Sequence, residues 1–394
     1  MSQEGKKSIF ATLWEHRVPQ FFATYLGVCW AILQFLNFIC DRYSLNGSIV
    51  DKFLIFVAIL IPGVLLYIYN HGKPGPDPWT KLEKVILPGN LVLAGVLAIF
   101  LGGSNSAKAS APIEVVIADE NGEEVTRLVP STNQSKDLYF FPFTSNVPDY
   151  EYLRTGMPIL LGADMEQDMR ITTRNPLGSQ YQLGAHDYEY RDEIPFSVML
   201  DIAKKSKYDY FLTGNIQMEE GQWSLELKAF ESQNGDEFFS ELITAEDIYS
   251  LADKATATFT SNLFLIDNNS DFGSYTDLPA SNLISSNEEA FKLYSTAIEK
   301  LYVTDEYDEG IALTQQAISL DDKSAELKFL AADVIRLRGD METSKKLISE
   351  ALSLSKQLPE RQQFNIKKTY WTFNKHIEKS VALMNNWTTL YPRD

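Results

Sequence analysis

The chain has 394 residues, 45% of them hydrophobic, and 53 acidic against 35 basic side chains give a net charge of -18. That length allows two or three domains, and that charge disfavours nucleic acid as a partner, because an acidic surface repels a polyanion. The charge is uneven: residues 1–110 hold nine Lys or Arg against six Asp or Glu, which leaves -21 on the remainder.

Both cysteines, Cys29 and Cys40, lie within or at the edge of the first apolar run, so the polar remainder has no disulfide and no thiol chemistry. That run, residues 18–39 (VPQFFATYLGVCWAILQFLNFI), holds no charge over about the 20 residues a helix needs to cross a bilayer core. Residues 53–69 and 85–102 repeat the pattern and carry Pro62, Pro88 and Asn90, which membrane helices tolerate when a neighbour satisfies the freed backbone. Three spans over residues 18–103 are therefore expected, with residues 1–17 as a cytoplasmic tail; a cleaved signal peptide would explain one such run but not three. Buried core helices are the plainer alternative.

Orientation follows from the short basic flanks. Lys6, Lys7 and Arg17 precede the first run, and Lys73, Lys81 and Lys84 lie between the second and third, so these flanks are expected in the cytoplasm. The opposite flanks hold Arg42, Lys52 and Lys108, and three crossings would place everything beyond residue 103 outside it. The loop from His71 to Trp79 is rich in Gly and Pro but lacks the Lys-Ser/Thr ending of a phosphate-binding loop.

Residues 104–112 are small and polar, as expected of a tether. In residues 113–135, two alternating runs flank Asp119-Glu-Asn-Gly122, an Asn-Gly hairpin signal. A calcium loop there is excluded by Glu124 at the position that needs Gly and Pro130 where a bidentate Glu belongs. Residues 136–266 then interleave strand-like and helix-like stretches: strand 138–143, helix 150–169, strand 170–173, helix 195–206, strand 208–217, two strands around Gln233-Asn-Gly-Asp236, and helix 245–264.

Within that region LYFFPFTSNVPDYEYLRTGMPILLGADMEQD, followed by the spaced Ala203, Tyr210, Leu212, Gly214 and Ile216, resembles TolB-like amino-terminal (FlgO-like) domains. The resemblance implies an extracytoplasmic recognition domain with no enzymatic centre. In TolB a β-propeller follows such a domain, and none follows here, so TolB's own partners are not carried over.

Residues 267–286 read as a polar linker, Asp267, Asn269 and Asp271 being spaced as in a calcium loop but lacking its Gly and Glu. From residue 287 to 394 the periodicity is helical, and Ala317 and Ala351 expose a 34-residue offset, the tetratricopeptide period. Three helix pairs are expected: 288–302 with 307–320, 325–337 with 341–355, and 360–373 with 377–391. Such repeats bury their faces only by stacking, so a partner covering the last pair, or a longer parent chain, is expected. Their concave face commonly binds extended peptides, and Lys292, Ser295, Glu299, Tyr302, Glu326, Phe329, Asp333 and Arg336 would line it; a solvated face is the other reading.

Four histidines (His16, His71, His186, His376) show no zinc-protease spacing, and nucleophile-elbow, Walker and kinase signatures are missing. No catalytic residue, cofactor or metal site is expected, although a carboxylate pair leaves no spacing signature, so that alternative stays open. The fold class expected is a multi-domain chain: three α-helical transmembrane spans, an α/β (α+β) TolB-N-like domain and an all-α tetratricopeptide-like repeat region. The expected function is a non-catalytic scaffold or adaptor in the inner membrane of a Gram-negative bacterium. Its partners would be the lipid bilayer and proteins of the periplasm or membrane. The alternatives are an accessory subunit of a larger membrane complex and the non-catalytic part of a longer enzyme or signalling protein.

Overall fold

The computed structural model describes residues 13–43, 48–73, 78–101, 112–118, 122–132, 134–264 and 277–394. These fall into two units, Met1–Ala111 and Pro112–Asp394. Most of the expected cytoplasmic tail, nearly all of the 104–112 tether, part of the His71–Trp79 loop, most of the 119–122 turn and the Asp267–Asp271 stretch lie outside the described residues.

The first unit contains α1 (Val18–Tyr43), α2 (Ser48–His71) and α3 (Glu83–Leu101). Two stretches are long and apolar enough to cross a membrane, Val18–Ile39 in α1 and Lys52–His71 in α2. By length and composition these fit membrane spans, and α1, near the amino terminus, also fits a signal sequence. Where three spans are expected, two candidates are found among the described residues; α3 has 19 residues and opens on the charged Glu83 and Lys84.

Polar bonds join these helices. The Tyr25 hydroxyl donates to Val57 O at 2.8 Å, and Asn90 Nδ2 donates to Ile59 O at 2.8 Å. Gly63 leaves the room that Asn90 occupies, since a Cβ there would overlap its side chain. At the α2–α3 connection the fully buried Glu83 carboxylate accepts from Thr80 N (2.7 Å), Thr80 Oγ1 (2.8 Å) and Asn70 Nδ2 (3.0 Å), with His71 Nε2 at 2.8 Å. An acid at a helix start, with this donor set, fixes the turn.

In the second unit β1 (Ile113–Ala118) and β2 (Glu124–Val129) form the expected antiparallel hairpin, with Gly122 at φ +83. A larger sheet follows, ordered β5-β3-β6-β7-β8, with β3 (Lys136–Phe140), β5 (Ile171–Arg174), β6 (Tyr210–Glu219), β7 (Gln222–Glu231) and β8 (Glu237–Ala245); the short β4 (Thr144–Ser145) pairs with β6. β3 runs parallel to β5 and β6, while β6, β7 and β8 form an antiparallel meander. Positive φ at Glu220, Gly221 and Gly235 lets the two meander turns close tightly.

Period-2 alternation sends side chains to two faces. Leu138, Phe140 and Leu212 pack under α4 (Leu153–Met165) and α7 (Ile248–Leu263), in one core with Met157, Leu161 and Phe259. Tyr139, Phe141 and Phe211 face the other way, onto Leu183 of α5 (Gln180–Gly184) and Ile202 and Ala203 of α6 (Phe196–Ser206). Helices on both sides of a mixed sheet match the expected α/β class.

The chain then forms α8 (Glu288–Tyr302), α9 (Tyr307–Leu320), α10 (Ala325–Leu337), α11 (Met341–Leu354), α12 (Glu360–Phe373) and α13 (Ile377–Leu390), three antiparallel-connected helix pairs. Side-chain caps start several of them: Asn287, Ser324 and Asp340 accept from Ala290 N, Leu327 N and Thr343 N. Ala317 and Ala351, the pair that revealed the repeat period, are fully buried.

Two expectations change here. Leu283, Ile284 and Ser285, within the supposed linker, are buried, and Leu278 exchanges two hydrogen bonds with the Gln167 side chain at 2.9 Å each. Half of that segment is therefore part of the core, its apolar residues too few to show periodicity. The last helix pair is also covered from within the chain. Val115, Ile117 and Val129 of the hairpin pack with Phe364, Leu383, Leu390 and Tyr391, and Arg127 grips Glu360 through two bonds of 3.1 and 3.3 Å.

Candidate functional site

The helix pairs turn their first helices, α8, α10 and α12, toward α4 and β5 of the α/β domain. α8 meets α4 so closely that Gly156 has no space for a Cβ against Ser295. At the far end Arg361, on α12 and only 4% exposed, donates through Nη1 to Ile171 O at 2.5 Å. Between these contacts lies a cleft of about 320 Å³ that takes its walls from α4, the end of β5, α8, α10, α12 and the carboxy-terminal residues.

Its floor is charged. Arg361 lies 3.6 Å from Glu166 and 4.0 Å from Asp394, and Arg174 lies 3.6 Å from Asp394. Glu166 also accepts from Thr173 N and Thr173 Oγ1 at 2.8 and 2.9 Å. Burial pushes the Glu166 carboxyl above its ordinary range, against the pull of Arg361. Trp387 is oriented by its own bond, Nε1 to Asp394 Oδ2 at 2.6 Å. Arg393, next in the chain to Asp394, pairs with Asp209 at 2.5 Å and Asp137 at 3.3 Å at the starts of β6 and β3, which holds this terminal segment in place.

Another wall is formed by Tyr294 of α8 with Glu326 and Phe329 of α10. Burial raises the Glu326 carboxyl to about 7, with a hydrogen bond from the Tyr294 hydroxyl opposing the rise. A carboxyl poised there takes up or releases a proton near neutrality.

The eight residues expected to line a peptide groove do not stay together. Glu326 and Phe329 line the cleft. Ser295 is fully buried against α4, and Glu299, 7% exposed, is paired with Arg191 at 2.5 Å. Both are corrected to contacts within the chain, since the α/β domain occupies the face an extended peptide would use. Asp333 and Arg336 pair with each other at 2.9 Å, and the Arg336 guanidinium lies 5.5 Å over the Phe373 ring. Lys292 is half-buried and Tyr302 is 38% exposed. Glu166, Arg174, Arg361, Trp387 and Asp394 carried no sequence signal, because the cleft gathers them from separate elements. No three His, Cys, Asp or Glu side chains among the described residues are arranged to hold a metal ion.

No protein-family model matches the chain, and no curated protein matches it either. Among solved structures, TolB from Acinetobacter baumannii is similar at 12% identity and a TM-score of 0.23, over 39% of this chain and 31% of that one. A lipoprotein from Neisseria meningitidis is similar at 12% identity and a TM-score of 0.24, over 34% of this chain and 98% of that one. The carboxy-terminal domain of LpoB from Salmonella enterica follows at 10% identity and 0.22, over 29% and 84%. These are weak likenesses of fold over part of the chain, and this chain spans less than a third of the TolB chain.

Proposed function

We propose that the protein is a membrane-anchored recognition scaffold, without catalytic activity, whose second unit binds proteins on the outer side of the inner membrane. The observation that carries this reading is the division of the chain into an apolar helical unit and a separately packed unit with its own cores. The charge follows that division, -21 lying beyond residue 110. In the finer form of the reading, α3 completes a three-helix anchor by burying its charged first turn at the interface, where Glu83 is already satisfied by hydrogen bonds. The α/β domain is then of the TolB amino-terminal kind and the helix pairs are tetratricopeptide-like. Because the α/β domain fills the inner face of the repeats, a protein partner engages the cleft rim or the outer helices rather than a full peptide groove.

For a subunit of a larger membrane complex, Asn37 and Asn90 within the apolar runs are the interhelical hydrogen-bond candidates, and Asn90 Nδ2 bonds Ile59 O inside the first unit. Protease treatment of intact spheroplasts, with a tag at each terminus, tests the topology. Loss of the carboxy-terminal tag alone is expected. Survival of that tag until the cells are permeabilised would place the acidic unit among cytoplasmic partners and overturn the proposal.

A further inference from the structure

We propose that the cleft between the α/β domain and the helix pairs binds a small zwitterion of the amino-acid or short-peptide class, its carboxylate at Arg361 and Arg174 and its ammonium at Glu326. This goes beyond the scaffold reading and does not depend on its topology, since every residue involved lies in the second unit.

The space is suitable: about 320 Å³ at a junction between subdomains is the size and the place in which small-molecule sites occur. The hydrogen-bond inventory then selects the ligand. Arg361 is 4% exposed and uses its terminal nitrogens on the Ile171 and Met169 carbonyls, but its Nε, 4.0 Å from Asp394 Oδ2, has no partner within hydrogen-bond distance. A buried N–H left unpaired is costly, so the cleft calls for an acceptor oxygen there. Arg174, whose side chain is 44% exposed, stands beside the same Asp394 carboxylate and adds a second guanidinium for a bidentate grip.

Glu326 states the opposite requirement. Among the described residues no cation acts on this carboxyl; the Tyr294 hydroxyl is the group that bonds it. The buried Gln362 Oε1, also on the cleft wall, lacks a donor while its Nε2 is used on Leu283 O. The cleft thus asks for one acceptor and one cationic donor. A simple anion would meet Glu166, Glu326 and Asp394, and a simple cation would leave Arg361 Nε unmet. A zwitterion answers both, and Phe329 and Trp387 offer apolar surface to a side chain.

The test is calorimetric titration and thermal-shift measurement on the full chain in detergent, with glycine, L-arginine, L-glutamate and dialanine as probes. For any probe that binds, the N-acetyl and methyl-ester forms remove one charge each. At least one zwitterion is expected to bind saturably, both blocked forms to lose about tenfold or more in affinity, and Glu326→Gln to lose a similar factor. Asn365→Trp, which projects a larger side chain into the cleft and changes neither charge, is expected to weaken binding in the same way should Glu326→Gln fold poorly. Absence of saturable binding by all four zwitterions at millimolar concentration, or undiminished binding of a blocked form, overturns the proposal. Neither result bears on the membrane topology, which the protease experiment reads separately.

Discussion

Arg361 Nη1 donates to the main-chain carbonyl of Ile171 at 2.5 Å, across 190 positions of sequence, and so ties the third helix pair to an edge strand of the sheet. The same guanidinium lies 4.2 Å over the Tyr391 ring and beside Glu166. Replacing it with Leu leaves a buried carbonyl unpaired and Glu166 without its cation. Arg361→Leu is expected to cost about 2–4 kcal/mol in denaturant unfolding of the full chain. It should also raise protease sensitivity within residues 355–394 first. A loss below about 0.5 kcal/mol would mean that the guanidinium sits in water rather than in this contact.

Gly156 and Ser295 set the distance between the α/β domain and the first repeat helix. A Cβ at Gly156 would overlap the Ser295 side chain and crowd the Phe291 ring, so Gly156→Ala must push the two helices apart. An expected loss of about 1–3 kcal/mol follows from overpacking, offset in part by Ala's better helix propensity. Adding Ser295→Ala removes the Oγ that the new methyl meets, and the double variant should recover part of the lost stability by thermal unfolding. Strict additivity of the two changes would show that they do not meet.

The hairpin's contribution divides into a large apolar part and a small ionic one. Arg127 and Glu360 are each about one-third exposed, so Arg127→Ala is expected to cost less than about 1 kcal/mol and to matter less in high salt. Val129, 3% exposed, packs on Leu390 and Phe364, and Val129→Asp buries an unpaired carboxylate in that cluster. Several-fold faster amide exchange in α12 and α13 is expected for Val129→Asp, with α8 and α9 unchanged. Exchange confined to the hairpin itself would show that it decorates the last pair rather than covering it.

How far the fold could be read from sequence depended on how local its signals were. The six repeat helices begin where their apolar periodicity says, and the two Asn-Gly turns join the strands they were expected to join. Those features need a few consecutive residues. α5 and the short helical turn at Pro176–Ser179 escaped because each is about one turn long and shows no period. The cleft escaped for a different reason. Glu166, Arg174, Glu326, Arg361 and Asp394 meet only because the helix pairs curl back onto the sheet, and a curl of that kind leaves no spacing. Of the residues expected in a peptide groove, Glu326 and Phe329 line the cleft. What the face faces, here the chain's own α4, is a tertiary fact.

Glu326 also makes stability depend on pH in a stated direction. Its folded carboxyl titrates near 7, raised by burial from an ordinary value of 4.5, so the folded chain holds more protons than the unfolded one between those limits. Stability is then greatest below about pH 4.5 as far as this group is concerned, and it falls as pH rises through the folded value. Asp164, 3% exposed and raised by burial to about 6, acts in the same sense over a lower window. Thermal unfolding of the full chain between pH 5 and 8 should therefore show a falling contribution that Glu326→Gln removes, on the order of 2 kcal/mol across the window. The comparison is made as the difference between wild type and variant at each pH, so that the carboxylates of opposite sense, such as Asp340 at its helix cap, cancel. A wild-type minus variant difference that stays flat from pH 5 to 8 would show that Glu326 is hydrated and that the α8–α10 wall of the cleft is open to bulk water.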